Sequence, residues 1–182
     1  MKNEKFPTSK NKMSLYDQTA WIYNQRYREI QEEKYRAILY KTAFKKIDLI
    51  LDAGCGTGML LEKIAPKYTT VGIDFSNEMI IIAKNKIKNS NLIRADLNNL
   101  PFKDNIFSKV FGVTVLQNLD RPQIAIREIA RTLQKKGLTA LSTLKKKTTK
   151  KKIRELIGNA GFKEKEVYEA SEDIVIIAYK QT

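Results

Sequence analysis

The stretch LDAGCGTG, Leu51 to Gly58, constrains this chain more than any other segment. It follows a short apolar run (Ile47, Leu49, Ile50, Leu51) and precedes a helical pattern of Met59, Leu60, Leu61 and Ile64. The order is strand, glycine turn, helix, which presents backbone N–H groups to a ligand at a helix N-terminus. Asp74 ends the next apolar run (Thr70, Val71, Ile73), twenty residues after Gly54. A carboxylate at a strand end can accept hydrogen bonds from two ribose hydroxyls. Loop and carboxylate together describe a nucleoside-binding crevice.

The glycine spacing narrows the ligand. Gly54, Gly56 and Gly58 read G-x-G-x-G. A dinucleotide fingerprint, G-x-G-x-x-G, would place a glycine where this chain has Met59. The triphosphate-cradling loop would need Lys-Ser or Lys-Thr after its second glycine, and neither is present. The loop suits close backbone approach without a pyrophosphate. A nucleoside without phosphates fits better, and S-adenosylmethionine (SAM) is such a ligand.

At 182 residues with 42% apolar content, the chain reads as one globular domain able to bury a core. No apolar run approaches the ~20 residues that span a bilayer, and the N-terminus lacks the apolar stretch of a signal peptide. Residues 1–13 are expected to be a disordered tail, 14–182 a single domain, and 14–45 a helical lid within it. One cysteine, Cys55, excludes internal disulfides, and with no histidine no metal site is expected. A reduced, cytoplasmic setting is the default.

The expected fold class is α/β: a doubly wound, seven-stranded, mostly parallel sheet with a C-terminal antiparallel hairpin and an N-terminal helical lid. Strands are expected near 47–53, 69–74, 91–95, 108–114, 137–143, 162–168 and 173–179. Helices are expected near 58–65, 76–88, 120–134 and 149–160. The lid carries a stripe of Tyr16, Ala20, Tyr23, Tyr27, Ile30, Ala37, Ile38 and Phe44. Ser14, Ser76 and Asp120 are candidate helix N-caps, the last followed by Pro122, and Gly161 is placed to end the last helix. The short polar connection Glu169–Glu172 lets the last two strands pair antiparallel.

Four segments in order, LDAGCGTG, VGIDFSNEM (71–79), IRADLNNLPFKDNIF (93–107) and VFGVTVLQNL (110–119), resemble the class I SAM-dependent methyltransferases. Within that group the chain is most similar to the small-molecule, quinone-biosynthesis type. The resemblance implies a cofactor site made of Asp52, Ala53, Gly54, Cys55, Gly56, Gly58, Asp74, Phe75, Met79, Asp96, Leu97 and Thr114. Asp52 would meet the cofactor's amino group, or only orient the loop; both readings stay open. Cys55 reads as a small buried side chain with no partner base. Phe75 and Met79 offer apolar surface to adenine, with core packing the alternative for Met79. The family role of Asp96 is to take the adenine amino group, and that of the Leu97 N–H to meet a ring nitrogen. The Thr114 backbone would face the methionine end.

Gln117 and Asn118 stand where many such enzymes carry two histidines, so histidine acid–base chemistry is excluded there. Ser108, where an aspartate is frequent, is expected to be a structural difference. No catalytic base can be named. Tyr16, Tyr23 and Tyr27 of YDQTAWIYNQRY resemble a lid over cofactor and substrate, with plain helix packing as the alternative; with Gln117 they are the candidate substrate residues. The formal charge is +14, and Lys145, Lys146, Lys147, Lys150, Lys151 and Lys152 form a basic run. Such a run can dock RNA or an acidic protein. Against that, lysines outnumber arginines throughout and no aromatics interleave the run. Three readings stand: a small-molecule methyltransferase, a methyltransferase for RNA or protein, and a SAM-binding subunit without its own activity.

Overall fold

The computed structural model describes residues 9–181, with side chains described from residue 25 onward. Seven strands form one sheet: β1 (Leu49–Ala53), β2 (Thr69–Asp74), β3 (Ser90–Arg94), β4 (Phe107–Gly112), β5 (Leu133–Leu144), β6 (Phe162–Ala170) and β7 (Asp173–Lys180). Their order is β3-β2-β1-β4-β5-β7-β6. All neighbouring pairs from β3 to β5 are parallel. β7 runs antiparallel to both β5 and β6. The expected C-terminal hairpin is thus β6–β7, and β7 inserts itself between β6 and β5.

The central strands are buried on both faces, as a parallel sheet covered by helices requires. One face packs under α1 (Ser9–Tyr40), α2 (Met59–Ile64) and α3 (Asn77–Lys86), with Tyr35, Ile38, Leu60, Ile80 and Phe111 in its core. The other lies under α4 (Pro122–Thr132) and α5 (Lys150–Gly158), with Ile126, Ile129, Leu133 and Ile153. Burying a side chain of this size stabilises by about 1.5–3 kcal/mol. No described helix is long and apolar enough to cross a membrane.

The local signals locate most ends. Ser76 caps α3, its Oγ accepting from Met79 N at 3.2 Å. Gly161, at φ +81°, turns the chain from α5 into β6. The cap expected at Asp120 falls one residue later, on Arg121, which makes no side-chain cap bond; Pro122 in the first turn sets that helix start instead. Ser14 lies inside α1, outside the described side chains, and so do Tyr16 and Tyr23. Of the expected tail, residues 1–8 lie outside the described residues. β1 begins later than expected because Asp48 turns out of the sheet: its carboxylate accepts from Lys45 N and pairs with Lys109 Nζ, each at 2.6 Å. At the same end of the sheet, Ser108 Oγ donates to Leu49 O at 3.1 Å, so that departure from the family pattern is structural.

Candidate functional site

The site lies along the C-terminal edge of the parallel strands, where open α/β sheets bind ligands. β1 ends at Ala53, and the chain turns through Gly54 (φ +82°) and Gly58 (φ +83°) into α2. Side chains fit at neither position. A Cβ on Gly54 would stand 2.6 Å from Val115 Cγ2, and one on Gly58 would stand 2.2 Å from Ile87 Cδ1. The first contact also places the segment after β4 directly against the glycine loop. Between them, a Cβ on Gly56 would meet nothing within 4 Å, so the loop is open on that side. Gly54 N and Cys55 N both donate to Ile73 O, at 2.9 and 2.8 Å, tying the loop to the end of β2.

Two carboxylates face this loop with different surroundings. Asp74 is half-buried; its Oδ2 accepts from Gly56 N at 2.8 Å and its Oδ1 from Ser76 N at 2.9 Å. A carboxylate held in this way at a strand end is an acceptor-only group facing the loop. Asp52 is only 3% exposed, and its Oδ2 has no hydrogen-bond partner among the described residues. Burial, with the Asp74 charge adding to it, pushes the Asp52 carboxyl up to about 8. An orphaned buried acceptor beside the open side of a glycine loop fits an ammonium group. Burial and the same two carboxylates push the Cys55 thiol up, which keeps it protonated and inert.

The residues expected at adenine are arranged less simply than the sequence suggests. Phe75 is 41% exposed and offers its ring, whereas Met79 is buried and has little surface to give. Asp96 does not end β3. That strand stops at Arg94, and Asp96 sits in the following turn, its Oδ1 accepting from Asn98 N at 2.8 Å. Leu97 beside it is buried. Arg131 pins the rest of this loop through Phe102 O, Leu100 O and the Asp104 carboxylate, at 2.7–3.0 Å, while Glu128 on the same helix holds the guanidinium and accepts from Leu100 N at 2.8 Å.

Thr114 is likewise not a strand residue. β4 ends at Gly112, and Thr114 occupies the left-handed region at φ +57°. Its N–H donates to Ser142 Oγ at 2.7 Å and its carbonyl accepts from Gln117 Nε2. Its hydroxyl donates to Asp173 Oδ2 at 2.7 Å and accepts from Lys34 Nζ at 3.0 Å and Gln31 Nε2 at 3.4 Å. Ser142 Oγ donates to the same Asp173 oxygen at 2.6 Å. This buried network joins α1 to the ends of β4, β5 and β7. Sequence reasoning missed Gln31, Lys34, Ser142 and Asp173. The available signal was a polar pair, Gln31 and Lys34, one turn apart on the apolar face of α1.

Tyr27 is exposed on α1. Of the basic run, Lys145, Lys146, Lys147, Lys151 and Lys152 are exposed, while Lys150 pairs with Glu169 at 3.0 Å.

An α/β sheet of this order, with a glycine loop after β1, a carboxylate ending β2 and a buried carboxylate ahead of the loop, is the architecture of a Rossmann-like domain. Residues 51–141, half of the chain, match the methyltransferase-domain family model, so the chain belongs to that SAM-dependent family. It is similar to the demethylmenaquinone methyltransferase of Thermotoga maritima, 29% identical over 151 residues (79% of this chain, 66% of that protein). It is also similar to the malonyl-[acyl-carrier protein] O-methyltransferase of Buchnera aphidicola, 38% identical over 96 residues (52% and 39%). The chain thus spans between about two fifths and two thirds of these relatives. Among solved structures, the magnesium protoporphyrin IX methyltransferase of Synechocystis PCC 6803 with bound SAM superposes at TM-score 0.83 with 19% identity, covering 99% of this chain and 100% of that one. The [4+2]-cyclase SpnF superposes equally well, TM-score 0.83 at 16% identity, covering 97% and 98%. The fold alone therefore does not specify methyl transfer; the family match rests on the sequence.

Proposed function

We propose that this chain is a SAM-dependent methyltransferase acting on a small molecule. The observation that carries the reading is the buried, unpartnered Asp52 oxygen beside the open side of the glycine loop, with Asp74 across from it. In this reading Asp52 takes the cofactor's ammonium group and Asp74 the ribose hydroxyls. Phe75 lies against adenine, whose edge is read by Asp96 and the Leu97 N–H. Bound SAM supplies a methyl group on a sulfonium, a good leaving group, for in-line displacement by the acceptor's lone pair. The residues then contribute alignment and exclusion of water. A general base is needed only if the acceptor must first lose a proton.

The quinone and malonyl-acyl-carrier-protein enzymes among the relatives support a small acceptor. Tyr16, Tyr23 and Tyr27 on α1 are the proposed lid. A cytoplasmic setting belongs to the same reading, suited to one buried reduced thiol. The test is transfer of a labelled methyl group from SAM into a cell extract that is then divided by size. Label in the small-molecule filtrate is the expected result. Label retained with RNA or protein would overturn the substrate class and make the exposed lysines of 145–152 the surface to mutate.

A further inference from the structure

Two glutamines hang on Thr114 from opposite sides. Gln31, from α1, donates its amide to the Thr114 hydroxyl, and Gln117, from the turn after β4, donates to the Thr114 carbonyl. In each case the other end of the amide, Oε1, is buried without a hydrogen-bond partner among the described residues. Gln31 as a whole is 4% exposed. The donor assignments are fixed by their targets. The Thr114 carbonyl can only accept, and its hydroxyl hydrogen is already committed to Asp173. Neither amide can therefore be turned over to hide its oxygen. The adjoining Val115 lies against Gly54, so Thr114, the residue both amides hold, stands next to the segment that packs on the glycine loop.

Buried acceptors without donors are costly, and sites built to receive donors discriminate strongly against analogues that lack them. We infer that Gln31 and Gln117 are the specificity residues of the acceptor site, and that the substrate presents two hydrogen-bond donors, hydroxyl or amine, to their Oε1 atoms. The inference rests on the methyltransferase reading and deepens it from "small molecule" to a donor-bearing acceptor. Both residues act by recognition; neither can take a proton from the substrate.

The test uses the full chain saturated with S-adenosylhomocysteine (SAH) and two probes of similar shape, catechol and 1,2-difluorobenzene. Side-chain amide resonances of Gln31 and Gln117, assigned with the Gln31→Met and Gln117→Met variants, report binding. Catechol is expected to shift both resonances at concentrations at least tenfold lower than difluorobenzene. Each variant is expected to lose most of that preference while SAH affinity stays within twofold. Equal binding of the two probes, or no movement of either resonance, overturns the inference. If a variant fails to fold, the comparison of probes on the unaltered chain decides alone. If SAH itself does not bind, the cofactor reading falls and the inference with it; if SAH binds and the probes are not distinguished, the inference alone falls.

Discussion

Lys34 Nζ lies 2.9 Å from Asp173 Oδ1, and both side chains are essentially sealed from solvent, Lys34 at 1% and Asp173 at 0% exposure. The pair joins α1 to the first residue of β7, far apart in sequence, and completes its bonding through Thr114 and Ser142. A buried pair of this kind does not add much stability over an apolar replacement, but losing one partner strands a charge. Lys34→Met is therefore expected to destabilise the fold by about 3–5 kcal/mol. The double variant Lys34→Met/Asp173→Leu should lose less than the single one. Chemical denaturation of both measures it; a single variant as stable as the unaltered chain would contradict the arrangement.

Asp52 makes cofactor-free stability depend on pH. Its carboxyl is pushed up to about 8 by burial and the Asp74 charge, above the ordinary carboxylate value. Between those two values the folded chain holds a proton that the unfolded chain has released. Stability from this group is therefore full below about pH 4 and is lost as pH rises through about 8. The expected slope is at most about 1.4 kcal/mol per pH unit. Asp52→Asn should remove that component, so the stability difference between Asp52→Asn and the unaltered chain should grow from pH 5 to pH 9. Parallel denaturation curves check it.

The glycine loop predicts a split between stability and binding. Gly58→Ala must move Ile87 and sit at φ +83°, so it is expected to lower stability by more than the ~1–2 kcal/mol of a left-handed alanine alone. Gly56→Ala meets no neighbour and carries only the backbone cost. Its methyl group would point into the open side of the loop, so SAH affinity should fall by tenfold or more. Calorimetric titration beside thermal melts separates the two effects.

Arg131 is the anchor of the loop that follows β3. Its guanidinium reaches two carbonyls and the Asp104 carboxylate there, and Glu128 on its own helix; hydrogen bonds to charged groups are worth about 1.5–3 kcal/mol each. Partial exposure of Arg131 and Asp104 reduces that figure for the outer pair. Arg131→Met is expected to raise backbone amide exchange across residues 98–106 and to weaken SAH several-fold. Unchanged exchange in that loop would show that it is held by other means.

The sheet was legible because its inner strands, such as β1 and β7, carry apolar runs bounded by glycine and polar turns, and its helices carry local caps such as Ser76. The cofactor loop was legible because G-x-G-x-G followed by a strand-end Asp74 is a short-range pattern. Two ends were misread for one reason. Asp96 and Thr114 follow β-forming residues, but the turns that hold them are closed by Asn98 and by Ser142 with Gln117, and no propensity encodes such partners. The Gln31–Lys34–Asp173 network was missed for the stronger form of that reason. Its members are brought together by tertiary packing; the sequence offered only Gln31 and Lys34 as a polar pair on the apolar face of α1, and nothing pointed to Asp173 as their partner.

The central claim is that Asp52, Asp74 and the glycine loop form a SAM site. Titration of SAH into the chain, its Asp74→Ala variant and its Asp52→Ala variant tests it most directly. The account predicts one molecule bound per chain, with each variant at least tenfold weaker and still folded. No binding to the unaltered chain, or binding indifferent to both substitutions, would contradict it.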